Sequence, residues 1–164
     1  EIDLQYDTSV DAVICTDNSL VFDNSVHQVA LNSDNVPGFK LFFMGDTLVF
    51  RDFSATTEPG FNLGDGYYEV AYDGFCKYLI KHVSVHYKLQ GVDEYSYKPI
   101  GFAKTGEHYS MISGRKDFLL LFGSRSKEVS HFLSENKIRI KRADKHSVTS
   151  VLRFYERTLD EEKD

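Results

Sequence analysis

Tryptophan is absent from this chain, and only three prolines and two cysteines occur among its 164 residues. Long hydrophobic runs are also absent, since the longest, at residues 118–122, has five apolar residues. A membrane-spanning helix needs roughly 20, so the sequence predicts no transmembrane segment. A chain of this length buries about two-thirds of its extended surface on folding. We therefore expect one domain over residues 1–164 that needs no disulfide or metal to be stable.

Recognisable catalytic and metal-binding motifs are missing as well. On a β-strand, His82 and His86 would share a face but stand about 13 Å apart, at ~3.3 Å per residue. That separation is too large for both to bind one zinc ion without further ligands. Ser124 lies in a Gly-Ser-Arg turn that lacks the second glycine of a hydrolase nucleophile elbow. The sequence thus predicts no metal, no cofactor and no enzymatic activity.

The two cysteines, Cys15 and Cys76, each lie in an apolar stretch. The favoured interpretation is a pair of unbonded, buried thiols. The alternative is one disulfide, which would contribute about 4 kcal/mol by restricting the unfolded chain. The sequence leaves both open. The chain begins at Glu1 rather than at a methionine, so we expect a mature product or an excised segment. The compartment stays unknown, and secretion stays open.

Positively charged residues are scarce in the first half of the chain. Residues 1–75 contain 13 Asp and Glu but only two basic residues, a net charge of −11. Residues 76–164 contain 17 Lys and Arg and 12 Asp and Glu, a net charge of +5, and the two values sum to −6. A fold that kept this segregation in space would have one acidic and one basic face. That pattern favours a charged partner without naming it.

Aromatic residues are abundant, with 13 Phe and 10 Tyr, and they favour the half-buried surfaces of β-sheets. The alternation of Ile2, Leu4 and Tyr6 with polar residues predicts a strand. Two hairpins are indicated by glycine-containing turns. The first joins residues 39–44 to 47–50 through Gly45-Asp46, and the second joins 67–72 to 75–89 through Asp73-Gly74. Between them, residues 54–66 predict a long surface loop, a kind of segment that is often functional.

The last third of the chain predicts helices as well as strands. Further strands are expected at residues 94–104 and 108–113. A strand–helix–strand unit then follows at residues 118–122, 125–135 and 137–142. An amphipathic helix over residues 147–162 ends the chain. The predicted fold is α+β, a β-rich antiparallel meander or barrel-like sheet followed by the strand–helix–strand unit and the C-terminal helix.

Basic residues cluster in the same region and are the best candidates for a binding site. On the expected strand 137–142, Ile138 and Ile140 would face one side, with Lys137, Arg139 and Lys141 on the other. The favoured interpretation is a solvated edge strand protected by its charge, and the alternative is a site for an anionic partner. The candidate residues are Arg115, Lys116, Arg125, Lys127, Lys137, Arg139, Lys141 and Arg142.

From these patterns we predict a non-enzymatic binding domain that recognises a protein partner. The segregated charge, the aromatic strands and the 54–66 loop support this prediction. One alternative is a module that binds an anionic ligand (a phosphoinositide, a nucleic acid or a sulfated glycan) through the basic residues. A small hydrolase with an unrecognised site is the third hypothesis.

Overall fold

The structure is a computed structural model that describes residues 3–22 and 25–161. Within these residues, eleven strands precede three α-helices. The strands are β1 (Asp3–Asp7), β2 (Ala12–Phe22), β3 (Ser25–Ala30), β4 (Gly38–Phe43), β5 (Asp46–Asp52), β6 (Tyr67–Asp73), β7 (Lys77–Lys81), β8 (Ser84–Leu89), β9 (Val92–Tyr97), β10 (Ile100–Lys104) and β11 (Ser110–Ile112). The helices are α1 (Arg115–Leu120), α2 (Ser126–Glu135) and α3 (Lys145–Glu161).

The strands pair in three antiparallel sheets. A six-stranded sheet has the order β11-β10-β7-β6-β5-β4, and a three-stranded sheet has the order β1-β2-β3. The third sheet is the two-stranded hairpin β8–β9. The predicted α+β class, with a β-rich antiparallel sheet and a C-terminal helix, is confirmed. The expected first strand is β1, and Ile2 lies outside the described residues.

One face of the six-stranded sheet carries most of the core. Cross-strand pairing aligns the side chains of one row on this face: Phe50, Glu69, Ile80, Gly101 and Ile112. At the β4–β6 end, Phe50 packs in a cluster with Val13 of the three-stranded sheet. At the β7–β11 end, Ile80 and Ile112 pack in a cluster with residues of all three helices. The helices and the three-stranded sheet therefore cover neighbouring parts of the same face.

Both predicted hairpins form, but each turn differs from its expected form. In the first, Met44 and Gly45 make the turn, with φ values of 49° and 83°, and Phe43 pairs with Asp46. Two consecutive positive φ values define a type I′ turn, whose twist matches that of the strands. The second turn has three residues, 74–76, because Asp73 pairs with Lys77. The expected strand 75–89 is also divided, into β7 and β8.

The predicted loop at residues 54–66 is present and covers the other face of the six-stranded sheet. Phe53 and Phe61 stack with their ring centroids 4.9 Å apart, and both pack with Tyr68, Leu79 and Tyr109. The Tyr68 hydroxyl donates a hydrogen bond to the Gly64 carbonyl at 2.6 Å. The aromatic side chains of the loop therefore point inward, and its main role in the structure is to cover the sheet.

The predicted strand–helix–strand unit is wrong at both of its strands. Residues 118–122 lie in α1 and the turn after it, where Phe118 and Phe122 are buried while Leu120 is 71% exposed. This is helical spacing, but a short run of apolar residues has no period that separates a helix from a buried strand. Residues 137–142 form an unpaired connector that starts with a φ of 55° at Lys137. The predicted helix between them is confirmed as α2.

The predicted C-terminal helix is confirmed as α3. Its buried stripe contains Val148, Val151 and Leu152, at the spacing expected for one helical face. Asp144 caps the helix, because its Oδ1 accepts a hydrogen bond from the Ser147 amide at 3.1 Å. In the described part of the chain, neither α3 nor any other helix has the length and apolar character needed to cross a membrane.

Leu152→Ala should lower the free energy of unfolding by about 2–5 kcal/mol, since Leu152 is fully buried and its loss leaves a cavity. Urea denaturation of both proteins measures the difference. Leu120→Ala is the matched control, and it should have little effect because Leu120 is 71% exposed. Equal stabilities for the wild type and Leu152→Ala would show that α3 does not contribute to the core.

Candidate functional site

An open pocket of about 490 Å³ lies where β1, the hairpin β4–β5 and the base of the hairpin β8–β9 meet. We call it the aromatic pocket. Its volume is within the range of about 300–1,000 Å³ typical of ligand sites, which are mostly apolar with a few polar groups. Its lining has that character and consists of Leu4, Gln5, Tyr6, Thr8, Leu41, Phe42, Phe43, Leu48, Phe50, His82 and Tyr97.

Aromatic stacking makes the floor of the pocket rigid. Phe50 stacks on Phe39 of the neighbouring strand, with ring centroids 4.7 Å apart and planes 8° from parallel. Tyr6 crosses from β1 and lies 5.0 Å from the Phe50 ring. Its hydroxyl donates a hydrogen bond to Asp11, which also binds Lys81. The ring of Tyr6 is therefore held between the two sheets.

The rim of the pocket is the tip of the β4–β5 hairpin, and it is apolar and exposed. Phe42, Phe43 and Met44 are 83%, 60% and 91% exposed. We call these three residues the apolar tip. Phe42 and Phe43 are consecutive residues of β4, so their side chains point to opposite faces of the strand. Met44 follows in the turn, and all three side chains are in contact with water. Contiguous apolar residues on a surface are typical of interaction sites.

A chain of hydrogen bonds forms the polar end of the pocket. Glu69, only 2% exposed, is the one buried charged residue among those described. Its Oε2 lies 2.8 Å from Nε2 of His82, and its Oε1 lies 2.8 Å from Nζ of Lys145, the first residue of α3. The other ring nitrogen of His82, Nδ1, contacts the Tyr97 hydroxyl. This polar chain joins β6, the β7–β8 junction, the end of β9 and α3.

The charges and protons of this chain follow from its geometry. Burial opposes the ionisation of Glu69, but the hydrogen bonds from His82 and Lys145 outweigh it and hold the pKa of the carboxyl below its ordinary value. The carboxylate accepts the Nε2–H of His82.

Two potential nucleophiles, Tyr97 at the pocket and Cys76 in the core, have raised pKa values. Burial and then the charge of Glu69 raise the pKa of Tyr97, so its hydroxyl keeps its proton. Burial also raises the pKa of the Cys76 thiol to about 12. Tyr97 nevertheless contacts the imidazole of His82, which Glu69 orients, and a hydroxyl beside an oriented base is one arrangement of an activated nucleophile. The pocket therefore combines an apolar lining with a hydroxyl and an imidazole held by hydrogen bonds.

Next to the pocket, β4 is the edge strand of the six-stranded sheet. Pro37 and Asp52 form a backbone hydrogen bond of 2.9 Å. Since bonded and non-bonded pairs alternate in an antiparallel ladder, Phe39, Leu41 and Phe43 also bond to β5. The amide and carbonyl groups of Gly38, Lys40 and Phe42 therefore point away from β5. Among the described residues, only β5 pairs with β4.

The eight predicted basic residues lie on three successive parts of the chain. Arg115 and Lys116 lie on α1, Arg125 and Lys127 at the start of α2, and the other four in the connector 137–142. Lys116 and Lys127 line one groove, and Arg115 binds Ser130 of α2 at 2.8 Å. In the connector, Lys137, Arg139, Lys141 and Arg142 are exposed while Ile140 is buried. The expected alternation is thus present there, although the expected strand is not.

Cys15 and Cys76 are both free. Cys15 is half-buried on β2, and Cys76 is fully buried in the turn before β7. The structure therefore has two unbonded thiols, which is the interpretation that the sequence favoured. Among the described residues, no three His, Cys, Asp or Glu side chains converge around one point.

Searches of protein-family models, curated proteins and solved structures found no match to this chain. The interpretation of the site therefore depends on its geometry alone.

Glu69→Gln should destabilise the protein by about 3–5 kcal/mol, because it leaves a buried pair with one partner removed. Chemical denaturation measures the loss. The matched control is Asp93→Asn, which removes the carboxylate of another histidine pair, His86–Asp93 at 2.9 Å, whose side chains are 49% and 59% exposed. That control should change stability little, as is usual for surface ion pairs. Equal losses for the two variants would contradict a structural role for Glu69.

The stability difference between the wild type and Glu69→Gln should depend on pH. Because the pKa of Glu69 is lower in the folded protein than its ordinary 4.5, the unfolded chain binds the proton first as pH falls. The contribution of the carboxylate is therefore complete above about 4.5 and is lost as pH falls through the folded-state value. Denaturation at a series of pH values measures this difference. A difference that stays constant into the acid range would contradict the assignment.

Proposed function

We propose that this chain is a non-enzymatic binding domain that recognises an extended segment of a protein partner. The segment pairs with the open edge of β4 and places an apolar side chain in the aromatic pocket. The observation that carries the proposal is the apolar tip, in which Phe42 and Met44 are 83% and 91% exposed beside that pocket.

Backbone geometry supports an extended partner. The outward amide and carbonyl groups of Gly38, Lys40 and Phe42 are the pattern that a neighbouring strand satisfies. Strand addition of this kind obtains affinity from main-chain hydrogen bonds and specificity from pockets that take alternate side chains. The aromatic pocket adjoins the same strand, since Leu41, Phe42 and Phe43 are part of its lining. An edge and a pocket in this arrangement serve one ligand.

The polar end of the pocket fixes the orientation in which the partner binds. The apolar lining contacts the partner's apolar side chain. The polar groups of His82 and Tyr97 limit the depth to which that side chain enters the pocket. Both are fixed by the polar chain to Glu69, so they are preorganised and lose little freedom on binding. The alternative, a small hydrolase, is supported by the contacts among Glu69, His82 and Tyr97, but burial raises the pKa of Tyr97 rather than lowering it.

Lys40→Pro should prevent binding of the partner segment without unfolding the protein. The Lys40 amide points away from β5, so proline there removes no hydrogen bond of the native ladder, and proline is tolerated on edge strands. Peptides selected from a random display library on the wild type provide the ligands. Titration should show that Lys40→Pro weakens their binding about tenfold or more, whereas the matched control Lys40→Ala should not.

Phe42→Ser tests the pocket rim with the same peptides. Loss of a buried aromatic contact is worth about 1.5–3 kcal/mol, so the dissociation constant should rise at least about tenfold. Phe75→Ser is the matched control, because Phe75 is 73% exposed and lies beside Glu156 and Leu159 of α3 rather than at the pocket. If no peptide is selected, or if Phe42→Ser and Lys40→Pro both bind as the wild type does, the proposed function is wrong.

A further inference from the structure

A second groove, of about 480 Å³, lies between α1 and α2. Residues from both helices and from the turn between them line it. Those that matter here are Lys116, Leu119, Leu120, Ser126, Lys127 and Ser130. α1 packs against β11, which is the edge of the six-stranded sheet opposite to β4. The groove is therefore separate from the aromatic pocket, with the whole sheet between them.

The floor of the groove is apolar, and folding leaves it open. Leu119 packs partly against the main core, while Leu120 is 71% exposed. An exposed leucine alone is ordinary, but here it lies in a concave surface beside a second leucine. The groove therefore has space for an apolar side chain of a ligand, in addition to its charged residues.

The rim of the groove is basic. Lys116 and Lys127 are both exposed, one on each helix. Among the described residues, neither lysine has a carboxylate partner within ion-pair distance. The nearest acidic residue of α2, Glu128, instead lies 3.8 Å from Arg125. The groove therefore combines two uncompensated positive charges with an apolar floor.

We propose that this groove docks an acidic segment of a protein partner that carries a leucine-like anchor. The positive rim is complementary to carboxylates, and such complementarity sets both the specificity and the rate of association. The apolar floor favours a peptide over an inorganic anion or a nucleic acid, because those ligands have no side chain to fill it. This site goes beyond the edge-strand function and does not depend on it.

The probe for this site is a labelled synthetic peptide of glutamate and leucine, with the leucines at helical spacing. Its binding to the full chain is measured by fluorescence anisotropy. The double variant Lys116→Glu/Lys127→Glu should weaken binding about tenfold or more. The matched control, Lys137→Glu/Arg139→Glu, changes the net charge by the same amount at exposed residues of the connector. It should stay close to the wild type.

The apolar part of the proposal has its own test. Leu120→Ser on the protein, or serine in place of leucine in the probe, should each weaken binding by a similar factor. Because Leu120 is exposed, its replacement should not affect folding, and circular dichroism checks this. The edge-strand variant Lys40→Pro should bind the probe as the wild type does, so failure of this site and failure of the edge-strand site are distinguishable.

Four outcomes would overturn the proposal. The first is no binding of the probe by the wild type. The second is equal weakening by the two charge-reversal variants, which would show attraction to overall charge. The third is equal binding of the leucine and serine probes, or competition by inorganic phosphate or an oligonucleotide, which would indicate an anion site. The fourth is self-association in analytical ultracentrifugation that the groove variant abolishes, which would make a second copy the occupant.

Discussion

The structure depends on one buried charge, the carboxylate of Glu69. It occupies the middle of the cross-strand row between Phe50 and Ile80, where an apolar side chain would be expected. Removing a carboxylate from water costs several kcal/mol unless other groups compensate it. Here the compensation comes from Lys145 at the start of α3 and from His82 at the β7–β8 junction. The charge is therefore tolerated only when the helix, the sheet and the junction are all in place.

That requirement explains how the molecule divides into a fixed centre and open edges. The polar chain from Lys145 to Tyr97 fixes the helices and the base of the β8–β9 hairpin to the central strands. The loop around Phe53 and Phe61 closes the other face of the sheet. Among the described residues, exposed apolar side chains lie at the β4 edge, on the β8–β9 hairpin and at the groove beyond β11. This arrangement supports the proposed binding function, because contact residues that are held in position before a partner arrives lose less freedom on binding.

The sequence predicts correctly those elements whose structure is specified by their own residues. The hairpins around Gly45 and Gly74 and the helix with Leu152 follow from turn residues and from apolar spacing, both of which are local. The run 118–122 and the connector 137–142 were predicted wrongly because their structure depends on packing. Phe118 and Phe122 form a helical face only against the other helices, and Ile140 is buried without strand pairing.

The proposed binding sites were harder to predict than the fold, and for a related reason. Glu69 follows Tyr67 and Tyr68 in a strand pattern, and nothing in that pattern shows that it faces inward toward Lys145, 76 residues later in the chain. Phe42 and Met44 look like core residues of a hairpin, yet they are 83% and 91% exposed. Side chains so exposed contribute little to folding, and apolar edges are a liability for an isolated protein. A second chain that covered them would remove this apolar surface from water, and this is the physical argument behind the proposal that the β4 edge binds a partner.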